Sequence, residues 1–195
     1  MRKNIFELAL LIGLAFSLLS AALAAETRDN IKEKVIRLHI IANSDSEEDQ
    51  EIKLKVRDAV LEFISELTRD CKSIEEAREI ISNNLENIEN AANGICKEHY
   101  FTYTATAKLG NSDFPTKSYP SFSLPAGKYE ALRIILGDGK GENWWCVLFP
   151  PLCVSAAECE FETSGLSDNE IKFITSEETK YKFNFKILEL IEKVL

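Results

Sequence analysis

The densest run of chemistry-bearing residues in the sequence is Arg37, His39, Asn43, Ser44, Asp45, Asp49, Lys53 and Arg57. Two carboxylates and an imidazole this close could serve general acid–base chemistry or ligate a cation. The same residues could instead fix a strand-to-helix corner, or recognise another macromolecule. With about 100° per helical residue, Asp49 and Lys53 fall inside the arc of Ile52, Val56 and Phe63, so both charges point toward the rest of the fold. The structural reading is an i,i+4 Asp49–Lys53 pair that joins Asp45 and Arg37 in holding the corner. The functional reading is a polar recognition patch or, as the weaker form, a carboxylate metal site with His39.

Other catalytic signatures are missing. The sequence holds no HExxH, GxSxG, P-loop or CxxC, and its histidines are His39 and His99. Gly137, Gly139 and Gly141 have the look of a phosphate loop but lead into a strand, where no helix N-terminus would meet the phosphate. A turn is the reading they support. Five cysteines make an odd number, so at least one is unpaired or pairs between chains. Cys71 and Cys96 bracket a predicted helix over residues 74–92, which at ~1.5 Å per residue holds them too far apart to bond. Cys146 and Cys153 flank Pro150-Pro151 and are a possible disulfide.

The N-terminus sets the compartment. Arg2 and Lys3 precede a twelve-residue apolar run, residues 8–19, and Ala22-Leu23-Ala24 offers the small-x-small pattern of a signal peptidase site. Residues 1–24 therefore read as a signal peptide or an uncleaved anchor over residues 5–24, and residues 25–34 as a polar linker. Residues 35–195 are enough for one domain. With 23 basic against 32 acidic residues the chain carries −9, which disfavours nucleic acid and anionic headgroups as partners.

The elements that must position these residues follow from periodicity. Residues 35–42 alternate as a strand, with Ile36, Leu38 and Ile40 on one face and Arg37, His39 and Ile41 on the other. Ser44/Glu47 and Asp45/Glu48 have capping-box spacing and open a helix to about Leu67. The helix over residues 74–92 follows, with Gly94 as its C-cap. Residues 101–109 and 129–136 alternate as strands on either side of a long loop, residues 110–127, which contains Phe114, Lys117 and Tyr119. The glycine turn and a strand from Trp144 complete a hairpin in which Trp144 and Trp145 point to opposite faces. A strand near residues 171–174 and a closing helix near residues 181–194 end the chain. The fold class is α+β: an open, mostly antiparallel sheet with two helices from the N-terminal half and a C-terminal helix packed mainly on one face.

Residues 37–46 (RLHIIANSDS), Asp49-Gln50 and residues 53–61 (KLKVRDAVL) resemble the opening block of the stage II sporulation protein R family. Leu109-Gly110, Phe114-Pro115-Thr116-Lys117 with Tyr119, Leu124-Pro125-Ala126-Gly127 with Tyr129, and residues 143–153 (NWWCVLFPPLC) resemble its later blocks. Cys71, Cys96 and Cys159 stand outside that pattern. The resemblance implies a secreted signal of endospore formation, made in the forespore and exported into the space between forespore and mother cell. There it would activate the membrane-embedded aspartic peptidase that processes the sigma-E precursor. It implies no catalytic residue, cofactor, metal or small-molecule substrate, and no membrane contact beyond the signal segment or the partner. The partner-binding residues are then expected among Arg37, His39, Asn43, Asp45, Asp49, Lys53, Arg57, Phe114, Lys117, Tyr119, Trp144 and Trp145. Two alternatives are a secreted cell-wall hydrolase using Asp45, Asp49 and His39, and a structural septal protein.

Overall fold

Residues 36–41 alternate an aliphatic face with one that carries Arg37 and His39, and the chain buries both. In the computed structural model, which describes residues 2–119, 122–151 and 165–175, this segment is β1 (Ile36–Ile41), an interior strand of a four-stranded sheet. It is preceded by α1 (Arg2–Glu33) and followed by α2 (Glu47–Thr68), α3 (Ile74–Asn83), α4 (Leu85–Glu98), β2 (Ala105–Phe114), β3 (Lys117–Ser118), β4 (Ser123–Leu124), β5 (Gly127–Leu136), β6 (Asn143–Phe149) and α5 (Asp168–Thr175). The sheet order is β2-β5-β1-β6, and β3–β4 form a separate small hairpin. β1 runs parallel to β5 and antiparallel to β6, while β2 runs antiparallel to β5. This is the expected α+β class with an open sheet.

Ile36, Leu38 and Ile40 bury against Ile52, Val56, Val60 and Ile64 of α2, Ala77 and Ile81 of α3, and Ile88, Ala92 and Cys96 of α4. The opposite face of the sheet meets a second cluster, in which Ile31 and Val35 pack with Phe114, Phe122, Tyr129, Val147, Phe173 and Ile174. α2 opens on Ser46, whose hydroxyl accepts from the Asp49 amide at 3.2 Å. The cap is later than the two expected boxes because Ser44 and Asp45 are engaged elsewhere, as described below. Ser46→Ala should cost about 1 kcal/mol in urea unfolding. A loss below a few tenths would remove this cap from the account.

Five expectations need correction. The linker, residues 25–34, is instead the continuation of α1 to Glu33; Ile31 is fully buried, and Lys34 Nζ reaches Glu170 Oε2 of α5 at 2.9 Å. The helix over residues 74–92 breaks at Asn84, whose amide nitrogen bonds the Ile80 carbonyl at 2.8 Å and closes α3. Gly94 then lies inside α4, which ends at Glu98 with His99 as its C-cap. The long loop is largely ordered: β2 continues to Phe114, with residues 110–114 paired to residues 127–131, and β3–β4 fill much of the remainder. Residues 171–174 are helical, because Ser167 and Glu170 cap each other (Ser167 N to Glu170 Oε2 2.7 Å, Glu170 N to Ser167 Oγ 3.4 Å) and Glu170, Phe173 and Ile174 form one buried stripe.

The fifth concerns the glycine turn. β5 and β6 do not pair as a hairpin, since β1 lies between them. Gly137 and Gly139 adopt left-handed φ values of 52° and 61°. The turn then folds onto the end of β1: the Gly141 amide donates to the Ala42 carbonyl at 2.9 Å and the Lys140 amide to the Asn43 carbonyl at 3.1 Å. A hairpin would have spent these amides on its own strands.

The free edge of β2 is covered at its start by side chains of α4. Asn93 exchanges two bonds with the Ala105 backbone, and Glu89 accepts from the Ala107 amide at 2.8 Å. Cys71 and Cys96 are free and do not bond to each other. Cys146 is disulfide-bonded. Its expected partner Cys153 lies outside the described residues, as does the expected helix over residues 181–194.

Candidate functional site

Ten of the twelve candidate residues divide between two places, and Arg57 and Trp144 pair apart from both. At the β1–α2 corner, Asp49 is 5 % exposed and its carboxylate is fully occupied. It accepts from Ser44 Oγ at 2.6 Å, Asn43 Nδ2 at 2.8 Å and Tyr103 Oη at 2.5 Å. Burial opposes the charge, but the bonds from Ser44, Tyr103 and Asn43 win and hold the carboxyl below its ordinary range. Asn43 Oδ1 takes the Asp138 amide at 2.9 Å, and Asp45 Oδ1 takes the Glu142 amide at 2.7 Å. The expected Asp49–Lys53 pair does not form. Lys53 Nζ donates to Gln50 Oε1 at 2.5 Å and to the Glu142 carbonyl at 3.2 Å, and burial lowers its pKa. These four residues clamp the corner onto the glycine turn, and their polar atoms are spent inside the molecule.

The other place is the second face of β1. Arg37 is fully buried, so the expectation that it helps to hold the corner is corrected. Its guanidinium lies 4.0 Å from the Phe114 ring centroid and 5.0 Å from that of Tyr129, and Nη2 donates to Tyr119 Oη at 2.7 Å. Burial lowers its pKa, against partial compensation from Tyr119 and Tyr129. Next along β1, His39 stacks on Trp145 at 5.8 Å and meets Phe114 edge-on. Its Nε2 contacts Asn143 Oδ1 at 2.7 Å, and burial lowers its pKa. Lys117 Nζ stands 4.2 Å over the Trp145 ring, and Tyr119 Oη donates to the Trp145 carbonyl at 3.3 Å. The structure therefore brings together Arg37, His39, Phe114, Lys117, Tyr119 and Trp145. Trp144 lies on the opposite face beneath Arg57, 5.1 Å away, and both tryptophans are half-buried.

Sequence reasoning missed Tyr103, Tyr129 and Asn143 as members of these groups. Tyr129 was legible as a strand residue of the right parity, but its partner across the sheet depended on register. The arrangement does not assemble a hydrolytic centre from Asp45, Asp49 and His39: the strand alternation puts His39 on the face opposite to α2, which carries Asp49. Among the described residues no three His, Cys, Asp or Glu side chains converge as metal ligands.

Ahead of these groups, Leu10–Glu33 of α1 is long and apolar enough to cross a membrane by length and composition, with Leu11, Leu14, Phe16 and Leu18 exposed. It suggests a signal or anchor segment. The family model described as stage II sporulation protein R matches residues 32–159, from the end of α1 through β6 and beyond. The protein named Stage II sporulation protein R from Bacillus subtilis (strain 168) is 46 % identical over 123 residues, which is 63 % of this chain and 55 % of that relative. The match thus spans little more than half of the relative's length. No solved structure matches the chain. With the matched region covering both the corner and the Arg37 face, the chain belongs to the stage II sporulation protein R family and has a role in sporulation.

Proposed function

We propose that the chain is an intercellular signal of endospore formation. It is made in the forespore, exported into the space between forespore and mother cell, and activates there the membrane-embedded aspartic peptidase that processes the sigma-E precursor. The observation that carries this reading is the family match over residues 32–159 immediately behind an apolar helix fit for export or anchoring.

Activation by contact requires differential affinity: the chain must bind the peptidase's active conformation or dimer more tightly than the inactive one, because equal affinity shifts nothing. The contact surface draws on the twelve residues named above, in two roles. Asn43, Asp45, Asp49 and Lys53 hold the corner in shape. His39, Lys117, Tyr119 and Trp145, backed by the fully buried Arg37, offer an aromatic and cationic surface of the kind that anchors interfaces.

The test co-produces the chain with the peptidase and the precursor in a cell that makes no other sporulation protein. Precursor cleavage that depends on this chain is expected. Absence of cleavage, or digestion of wall polymer by the purified chain alone, would overturn the reading.

A further inference from the structure

Four buried side-chain atoms among the described residues have no hydrogen-bond partner: Arg37 Nε and Nη1, His39 Nδ1 and Trp145 Nε1. All four belong to neighbours on the second face of the sheet. A buried guanidinium with idle N–H groups and no carboxylate is costly, by about 1–3 kcal/mol for each unsatisfied group. The idle N–H groups of Arg37 and Trp145, with His39 between them, point to an acceptor supplied from outside the chain.

The strand register adds a second, independent observation. Lys108 on β2 faces Arg133 on β5, Arg133 faces His39 on β1, and His39 faces Trp145 on β6. This row crosses the whole sheet. Ala107, Leu109, Leu132 and Ile134 pack into the first core, so Lys108 and Arg133 project from the second face, beside His39. Lys108 is exposed and Arg133 half-buried. With Lys117 over Trp145 they make a cationic patch in a chain of net charge −9. Among the described residues Lys108, Arg133 and Lys117 enter no ion pair. The nearest acidic neighbour on β5, Glu130, lies on the opposite face and is held by Arg78 at 2.8 Å.

We infer that this row is a docking surface for an acidic protein segment, whose acidic side chains are met by Lys108, Arg133 and Lys117 and whose docking brings a carboxylate to the buried, idle N–H groups of Arg37 and Trp145. The assignment rests on the contact reading of function and names the chemistry of the partner. Carboxylates suit the site because each brings several acceptor lone pairs to the idle N–H donors of Arg37 and Trp145, and because rim cations steer an acidic segment to its register.

The test measures binding of a fluorescent hexaglutamate peptide to the full chain in neutral detergent at low salt, with hexalysine and polyphosphate as comparison probes. Hexaglutamate should bind and hexalysine should not. The double variant Lys108→Glu, Arg133→Glu, which breaks no ion pair, should weaken binding at least about tenfold, whereas Lys55→Glu on α2 should leave it within about twofold. Arg37→Met should lose binding without lowering the melting temperature, an outcome a purely structural arginine would not give. Equal binding by the double variant, or stronger binding of polyphosphate than of hexaglutamate, would overturn the assignment. The co-production assay separates the two failures. Full precursor cleavage by the double variant sinks the surface and leaves the signalling function standing; no cleavage by the unsubstituted chain sinks the function whatever the peptide does.

Discussion

Asp49→Ala should destabilise the protein by about 3 kcal/mol or more, read as a drop in urea midpoint at unchanged slope. The carboxylate takes bonds from Ser44, Asn43 and Tyr103, and removing it leaves three donors facing a space that water must enter or the corner must collapse into. The same bonds fix a pH dependence. Asp49 titrates below its ordinary range in the folded chain. Its contribution is therefore fully present above the unfolded carboxylate pKa of about 3.9 and is lost as the pH falls through the lower folded value. Asp49→Asn, which does not titrate, should accordingly lose ground to the parent chain most at neutral pH and least in acid. A gap between the two proteins that stays constant from pH 7 to pH 2 would mean that the carboxylate charge is not what holds the corner.

Gly141→Ala should have an effect of similar size, about 2–4 kcal/mol. Gly141 needs no unusual φ. What it needs is the absence of a side chain, since a Cβ there would run into the Ser44 carbonyl and the Ala42 side chain. Both belong to the loop that leaves β1, so the added methyl would push the glycine turn off the strand end and strain the bonds from Gly141 and Lys140 that carry the chain across to β6. Thermal unfolding checks this. A change of only a degree or two would show that the crossing tolerates a side chain and that the close approach is not required.

The two substitutions probe the part of the fold that sequence reasoning reached least evenly. Parity along a single strand was legible: Ile36, Leu38 and Ile40 face the helices, while Arg37 and His39 face the other way. The inward charge of Asp49 and Lys53 was legible too, because helical spacing places them without knowledge of any neighbour. The pairing of strands was not. A glycine-rich turn between two β-patterns reads as a hairpin, and what made it a crossing was a set of bonds from residues 138–142 to residues 42–45, nearly a hundred positions earlier.

The same limit explains the cationic row. Lys108, Arg133 and His39 are scattered in sequence and become neighbours only through the register of three strands. The helical continuation over residues 25–33 was hidden by polar composition, although Ala24 and Ile31 share a face that packs against the second cluster. The helix at residues 168–175 did carry a signal, the Ser167-x-x-Glu170 box, which outweighs the β-like look of Ile171, Phe173 and Ile174. Asn84 was an equally local signal, a side chain able to satisfy a helix-end carbonyl in the middle of an unbroken apolar period.

The geometry gives the two faces of β1 different duties. One is filled with aliphatic side chains and fixes the helices; the other carries the cations, the imidazole and the indole, of which Arg37 Nε and Nη1, His39 Nδ1 and Trp145 Nε1 find no partner among the described residues. That division suits a protein that works by touching a partner.

The most direct measurement of this account is the fraction of sigma-E precursor cleaved in cells that hold only the peptidase, the precursor and this chain. It is made once with the chain as it stands and once with Leu14→Arg, which puts a charge into the apolar run and blocks export. The account predicts cleavage in the first case and intact precursor in the second. Equal cleavage in both, or none with a chain shown to be exported, would contradict it.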